Sequence, residues 1–245
     1  MQIAQHLTHL EQDGTRLADA VTSLEADVPA CPPWTVRQLV THIGGVHRYA
    51  AQIVRDRLAE DPAETEDDLA QPGDADLLEW FRAGHAELLA TLRGADPDVQ
   101  CLTFFAAPSP LEFWARRQAH ETAIHRADAE SATGPITPFV AEFAADGIDE
   151  MITGFASRKR KFHEVDAPRT LAIRPDDADP WLLTIAADGL HREDSTDGLV
   201  GTADARVGGS ASDLYLWMWN RPSPVHVAGD EDVAALWRQI RVRWA

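Results

Sequence analysis

The stretch that decides the fold is 111-LEFWARRQAHETAIHRADAES-131, which the sequence pattern predicts as one long helix. Three earlier segments carry apolar residues at steps of three and four, which is typical of amphipathic helices. They cover residues 3–24, 36–58 and 77–92. A further helix is expected over 138–162. Four long helices and an extra one predict an antiparallel helical bundle.

The pattern changes after Val165, where apolar and polar residues begin to alternate. This alternation predicts strands at 169–174 and 181–187, a third over 199–207 and a short one at 225–227. Short helices are expected after Ser210 and after Asp230. The sequence therefore predicts an α+β protein with two domains, a helical bundle of residues 1–163 and a small α+β domain of residues 168–245.

Composition excludes several classes of protein. The 245 residues carry a net charge of −18, which disfavours nucleic-acid binding because phosphates are held by Lys and Arg. No apolar run approaches the ~18 residues of a membrane span, and the polar N-terminus does not resemble a signal peptide. The two cysteines, Cys31 and Cys101, cannot build a disulfide framework. We therefore expect a cytoplasmic protein with no nucleic-acid or membrane partner, and its oligomeric state stays open.

The predicted helix over 111–131 carries the strongest local signal for chemistry. Glu121 and His125 are four residues apart, so both side chains lie on one face. A carboxylate oxygen and an imidazole nitrogen suit a divalent metal such as zinc. His120 lies about 100° further round the helix and is not expected to bind the same ion. The alternative is an ordinary solvated Glu–His pair, which is common on helix surfaces.

His42 lies in the second predicted helix, on the side that should face the core. A lone histidine there is often a hydrogen-bonded core residue. Facing helices of a bundle are, however, a usual place to assemble a metal site, and His42, Glu121 and His125 together offer three ligands. A fourth position would then be open for a water or a thiol. Asp128 either orients a ligand histidine or forms a salt bridge.

Two stretches resemble the mycothiol-dependent maleylpyruvate isomerase family. They are 34-WTVRQLVTHIGGVHRY-49 and 114-WARRQAHETAIHRADAE-130. A third, 208-GGSASDLYLWMWNR-221, is similar to that family's C-terminal domain, with Asn220 where the family usually has glycine. The resemblance implies a DinB-like metal-binding bundle followed by a small sterol-carrier-like domain. It also implies a divalent metal, typically zinc, held by His42, Glu121 and His125.

The same resemblance implies a thiol-using enzyme in the cytoplasm, an isomerase or an S-transferase. Its partners would be mycothiol, as a low-molecular-weight thiol, and a small electrophile. Arg221 is the candidate catalytic cation for an acidic substrate, because a guanidinium suits carboxylates. The alternative for Arg221 is a surface salt bridge.

Three rival readings stay open at this point. One is a non-catalytic metal-binding regulator, although such helical proteins generally need paired cysteines. A second is a carrier that holds an apolar molecule near Trp181, Trp217 and Trp219, where core packing is the simpler explanation. The third is an enzyme of the same fold that uses another thiol, such as bacillithiol or glutathione.

Overall fold

The computed structural model describes residues 1–62, 72–158, 165–193 and 198–240. These form two compact units, Met1–Thr137 and Pro138–Ala245. The sequence pattern suggested a later boundary, at 163–168, of which residues 163 and 164 lie outside the described part of the chain. The division falls earlier because the helix that follows Pro138 packs against a helix of the second unit.

Four long helices build the first unit. They are α1 (Ile3–Ala20), α2 (Val36–Asp56), α3 (Asp74–Gly94) and α4 (Pro110–Ser131). Helix α1 packs against α3 and α4, and α2 packs against the same two helices. The helices that the apolar spacing predicts are therefore present, and they enclose a core that includes Leu17, Leu39, Ile43, Val46 and Phe81.

The starts of α2 and α4 follow from local side-chain chemistry. The backbone N–H of Thr35 donates to Oε1 of Gln38 at 2.8 Å, which is half of a capping box. Oγ of Ser109 accepts from the backbone N–H of Glu112 at 3.2 Å, and Pro110 fits the first turn because its missing N–H would have no helical partner. These caps fix where the two helices that carry the candidate ligands begin.

Helix α4 is buried along most of its length, including its charged residues. Arg126 pairs with Asp13 of α1 at 3.1 Å and with Glu130 at 2.7 Å, so this buried guanidinium is neutralised and ties α4 to α1. His6 of α1 is also buried. Within the described residues no helix is both long and apolar enough to cross a membrane.

The second unit combines short helices with a mixed sheet. Helix α5 (Ala141–Glu150) continues as a π-helical turn over Met151–Phe155 and a 3₁₀ turn over Ala156–Arg158, and residues 159–162 of the expected helix lie outside the described residues. The remaining elements are β1 (Arg169–Pro175), β2 (Trp181–Ala186), β3 (Gly189–Arg192), β4 (Ala205–Gly209), α6 (Ala211–Met218), β5 (His226–Gly229) and α7 (Glu231–Ala235).

The sheet has the order β3-β2-β1-β4-β5, in which only the β1–β4 pair is parallel. Helices α6 and α7 contact β1 and β4, and α5 packs on α6. The strand expected over 199–207 begins only at Ala205, because Val200–Thr202 forms a 3₁₀ turn. Strand β3 was not expected from the sequence.

Helix α6 ends in a turn that explains Asn220. The N–H of Arg221 bonds to the carbonyl of Leu216 and the N–H of Asn220 to that of Trp217, both at 2.9 Å, which is a Schellman motif. Asn220 has a φ of 58°, a left-handed conformation that glycine and asparagine tolerate best. Asparagine therefore preserves the turn where the family usually has glycine.

Candidate metal centre

The three residues chosen from the sequence as metal ligands lie together in the first unit. Nε2 of His125 is 3.1 Å from Oε1 of Glu121, and Nε2 of His42 is 3.6 Å from the same oxygen. One ligand atom from each residue lies within 4.8 Å of the other two. Zinc bonds of 2.0–2.1 Å in a tetrahedral site place neighbouring ligand atoms about 3.3 Å apart, so these spacings fit one ion.

Helix geometry explains the convergence. Glu121 and His125 are one turn apart on α4, and His42 reaches them from α2, which packs against α4. The side chain of Glu121 is 2% exposed and that of His125 9%, whereas that of His42 is 13% exposed. The Glu–His pair is therefore not a solvated surface pair, and access from solvent is greatest at His42.

Each of the two candidate ligands on α4 uses its second polar atom to contact another charged residue. Nη2 of the fully buried Arg117 donates to Oε2 of Glu121 at 3.1 Å, leaving Oε1 for the histidines. Oδ2 of Asp128 is 2.9 Å from Nδ1 of His125. Asp128 therefore contacts a candidate ligand directly, and the contact is a salt bridge as well as a hydrogen bond when His125 is protonated. Arg117 was missed, although its spacing of four residues from Glu121 was visible.

The hydrogen-bond chemistry of His125 shows that either a proton or a metal ion must lie between it and Glu121. A carboxylate only accepts hydrogen bonds, so Asp128 requires the hydrogen of His125 to be on Nδ1. A neutral His125 then turns the lone pair of Nε2 toward Oε1 of Glu121. Two such lone pairs repel each other at 3.1 Å unless a proton or a metal ion lies between them.

The electrostatics of the cluster agree with this description. Burial alone would lower the pKa of His125, but its hydrogen bonds to Asp128 and Glu121 outweigh burial and raise that pKa to about 9. Burial likewise would raise the pKa of Glu121, but hydrogen bonds with His125 and His42 and the charge of Arg117 hold it well below its usual value. Glu121 is therefore an anion throughout the neutral range.

A loop between α1 and α2 covers one side of the cluster. Backbone hydrogen bonds from Val28 to Trp34 and from Trp34 to Cys31 hold this loop closed. The ring of Trp34 lies 5.0 Å from that of His42 and stacks 6.3 Å from that of His125. Sγ of Cys31 donates to Oδ2 of Asp128 at 3.3 Å. No sequence signal linked Cys31 to the site, because 97 residues separate it from Asp128.

Three other residues make the following contacts. His47 is fully buried, with Nε2 2.8 Å from Oγ1 of Thr122. Arg221 belongs to the second unit, where its Nη1 donates to the carbonyl of Trp219 at 3.0 Å. Trp217 stacks on the buried Trp237 at 5.9 Å.

Comparison with known proteins identifies the family. Residues 7–130 match the model of the mycothiol maleylpyruvate isomerase N-terminal domain, and residues 142–236 match that of the family's C-terminal domain. The chain belongs to the mycothiol-dependent maleylpyruvate isomerase family. The resemblance seen in the sequence is thereby confirmed, and the α+β fold class with it.

Solved structures show the same fold. The crystal structure of a mycothiol-dependent maleylpyruvate isomerase aligns with 93% of this chain and 93% of its own, at a TM-score of 0.64 and 13% identity. A point mutant of a mycothiol-dependent maleylpyruvate isomerase aligns over the same shares, at a TM-score of 0.66 and 12% identity. No curated protein sequence matches the chain significantly.

Proposed function

We propose that this protein is a metal-dependent, thiol-using enzyme in which His42, Glu121 and His125 hold a divalent cation, with zinc as the expected ion. The observation that carries the proposal is the convergence of three potential ligand atoms within 4.8 Å of one another, among which Nε2 of His125 and Oε1 of Glu121 lie 3.1 Å apart. Two imidazoles and one carboxylate are a frequent ligand set of catalytic zinc, which keeps a further position for water or substrate.

The bound cation would supply one function, the deprotonation of a coordinated thiol at neutral pH. The chain's own residues do the rest. Arg117 holds Oε2 of Glu121 and so directs Oε1 into the site, while Asp128 fixes the ring orientation and tautomer of His125. The ring of Trp34 shields the histidines from one side, which reduces the access of water to the thiol.

We propose mycothiol as the thiol, on the strength of the family, and a small unsaturated acid as the electrophile. In an isomerisation the thiol adds to a conjugated cis double bond, the resulting single bond rotates, and the thiol leaves again. In an S-transferase reaction the thiol stays attached to the product. The isomerase is favoured because the family models and the structural relatives carry that name. Such thiol chemistry fits the cytoplasm, and neither cysteine is in a disulfide.

Arg221 is proposed as the cation that binds a carboxylate of the substrate. Its guanidinium is half-buried, and its bond to the carbonyl of Trp219 restrains the side chain. An Arg221→Lys variant that loses the planar fork should raise KM for an acidic substrate more than it lowers kcat. An unchanged KM would remove Arg221 from the proposal.

Metal content tests the central claim. Wild-type protein dialysed against zinc should retain one equivalent, and both His42→Ala and a Glu121→Ala/His125→Ala double variant should lose it. His191→Ala, which removes an exposed histidine of β3, is the matched control and should retain the ion. Full zinc occupancy in both site variants would refute the ligand assignment.

Thiol dependence tests the reaction. Zinc-loaded protein should isomerise maleylpyruvate with mycothiol, and His42→Ala should be inactive. Parallel assays with bacillithiol and glutathione separate the possible thiols. A zinc-binding protein that consumes no thiol and isomerises nothing with any of the three would retain the metal site and refute the enzymatic function.

A further inference from the structure

The outer surface of the sheet in the second unit carries a group of basic side chains that the proposed reaction does not use. In the register of the sheet, Arg174 of β1 lies opposite Gly208 of β4, which lies opposite His226 of β5. Arg206 lies two residues before Gly208 on β4, and residues two apart on a strand share a face. These four positions therefore lie on the same face of the sheet.

The side chains enclose a pocket of about 140 Å³. Its floor contains Gly208 and Ala228, so little side-chain volume rises from the middle of the face. The imidazole of His226 occupies the space directly over Gly208, where a methyl group would overlap its Nε2. Glycine at position 208 therefore leaves room for the imidazole, which lines the pocket together with two guanidinium groups.

The two arginines present hydrogen-bond donors to the pocket. Nη1 of Arg206 donates to the carbonyls of Ala203 at 3.0 Å and Gly201 at 3.3 Å, which anchors the guanidinium. Among the residues that the structure describes, Nη2 and Nε of Arg206 make no hydrogen bond, and the guanidinium of Arg174 makes none at all. An anchored guanidinium with two donors left over is preorganised for an oxyanion.

This arrangement is unusual for so acidic a chain. Its net charge is −18, and other arginines of the same unit are neutralised, for example Arg169 by Asp230 at 2.6 Å and Arg192 by Asp149 at 2.5 Å. Arg174 and Arg206 face the pocket without such a partner in the part of the chain that the structure describes. One carboxylate, Asp176, also lines the pocket.

We propose that this pocket is a binding site for a small oxyanion with a phosphate or carboxylate group. Arg174 and Arg206 supply charged donors, and His226 supplies an N–H at the edge strand. The dimensions limit the ligand to a small molecule, and the repulsion from Asp176 favours one whose charge is concentrated at one end. The proposal does not depend on the metal centre, which lies in the other unit.

Titration of the full-length protein at low ionic strength tests the site, with inorganic phosphate and succinate as separate probes. Isothermal calorimetry gives the affinity, and amide chemical shifts locate the binding. At least one probe should bind and shift the amides around Gly208. The probe that binds more tightly identifies the phosphate or the carboxylate as the preferred group.

Variants test whether the oxyanion binds in this pocket. Arg174→Gln should weaken binding about tenfold, because a charged hydrogen-bonding partner is lost. Asp176→Asn should strengthen binding several-fold, a change of opposite sign that mere loss of structure would not produce. Arg238→Gln, which removes an exposed arginine outside the pocket, and His42→Ala, at the metal centre, should both leave the affinity within twofold of wild type.

Two results would overturn the proposal. The first is that neither probe binds wild-type protein. The second is that Arg174→Gln weakens binding no more than Arg238→Gln, which would indicate a general response to charge.

Discussion

Replacing Asp128 by asparagine is the sharpest test of how the ligands are held. Oδ2 of Asp128 receives the Nδ1 hydrogen of His125 at 2.9 Å and the thiol of Cys31 at 3.3 Å. Asparagine has nearly the same shape, so the packing at this buried position is preserved. It lacks the negative charge, and it can turn an NH₂ group toward Nδ1, which favours the wrong tautomer of His125.

The expected loss follows from the role of such an outer partner. Removing a carboxylate that orients a ligand histidine typically costs 10–100-fold in metal affinity, or about 1.4–2.8 kcal/mol. Asp128 is 1% exposed, so water cannot replace the lost charge, and the upper half of this range is expected. Zinc affinity is measured at pH 7.5 by competition with a chromophoric chelator.

Two controls separate orientation from general electrostatics. Glu112→Gln removes a negative charge from the first turn of the same helix, away from the ligands, and should change zinc affinity less than twofold. Cys31→Ser keeps a donor to Asp128 and should change it less than threefold. If folded Asp128→Asn bound zinc as tightly as wild type, the orienting role would be refuted.

Three further predictions concern stability. His85 is buried, and burial lowers its pKa below 6.5, so the unfolded chain takes up the proton first as the pH falls. The free energy of unfolding should therefore fall as the pH drops below 6.5, by up to about 1.4 kcal/mol per pH unit. When urea unfolding is compared at pH 7.5 and 5.5, His85→Gln should lose less stability than wild type. An equal loss in both proteins would refute the assignment. Asn220→Val should lower the free energy of unfolding by about 1–2 kcal/mol, because the left-handed φ of 58° excludes a β-branched side chain. Asn220→Gly should stay within about 0.5 kcal/mol of wild type. Equal stability of the two variants would contradict this prediction. Gly44→Ala should destabilise the protein by about 1–3 kcal/mol, although alanine has the better helix propensity, because the new methyl group would overlap the ring of Trp80. A higher melting temperature of the variant would show that the ring moves aside freely.

The sequence predicted the helical bundle well because its signals are local. Apolar spacing and caps act within one or two turns, and Thr35 and Ser210 are the N-cap residues of α2 and α6 in the structure. Strand β3 was missed because only 4 residues follow the turn at Asp188, and two of them, His191 and Arg192, are exposed. The early end of the first unit was also hidden, since it depends on the packing of α5 against α6.

The candidate site was predictable where spacing along one helix determines it. Glu121 and His125 are brought together by one turn of α4, and Asp128 follows three residues later. The contributions of Cys31 and Trp34 were not predictable, because they depend on how the loop before α2 folds back over the cluster. Local periodicity has no information on such long-range contacts.

The buried charges of α4 separate naturally into a structural and a functional group. Arg126 forms ion pairs with Asp13 and Glu130 and donates to the carbonyl of Thr137, so its positive charge is balanced within this group of residues. Glu121 instead directs a single oxygen toward the Nε2 atoms of both His42 and His125, which are potential metal ligands.

Burying charged groups costs several kcal/mol unless each is compensated, and an apolar core of similar volume would often be at least as stable. The Glu121 cluster differs from the Arg126 network because its two imidazole nitrogens and its carboxylate oxygen can each bind a metal ion. The convergence of three potential ligand atoms is the reason to propose the Glu121 cluster, rather than the Arg126 network, as the functional centre of the helix.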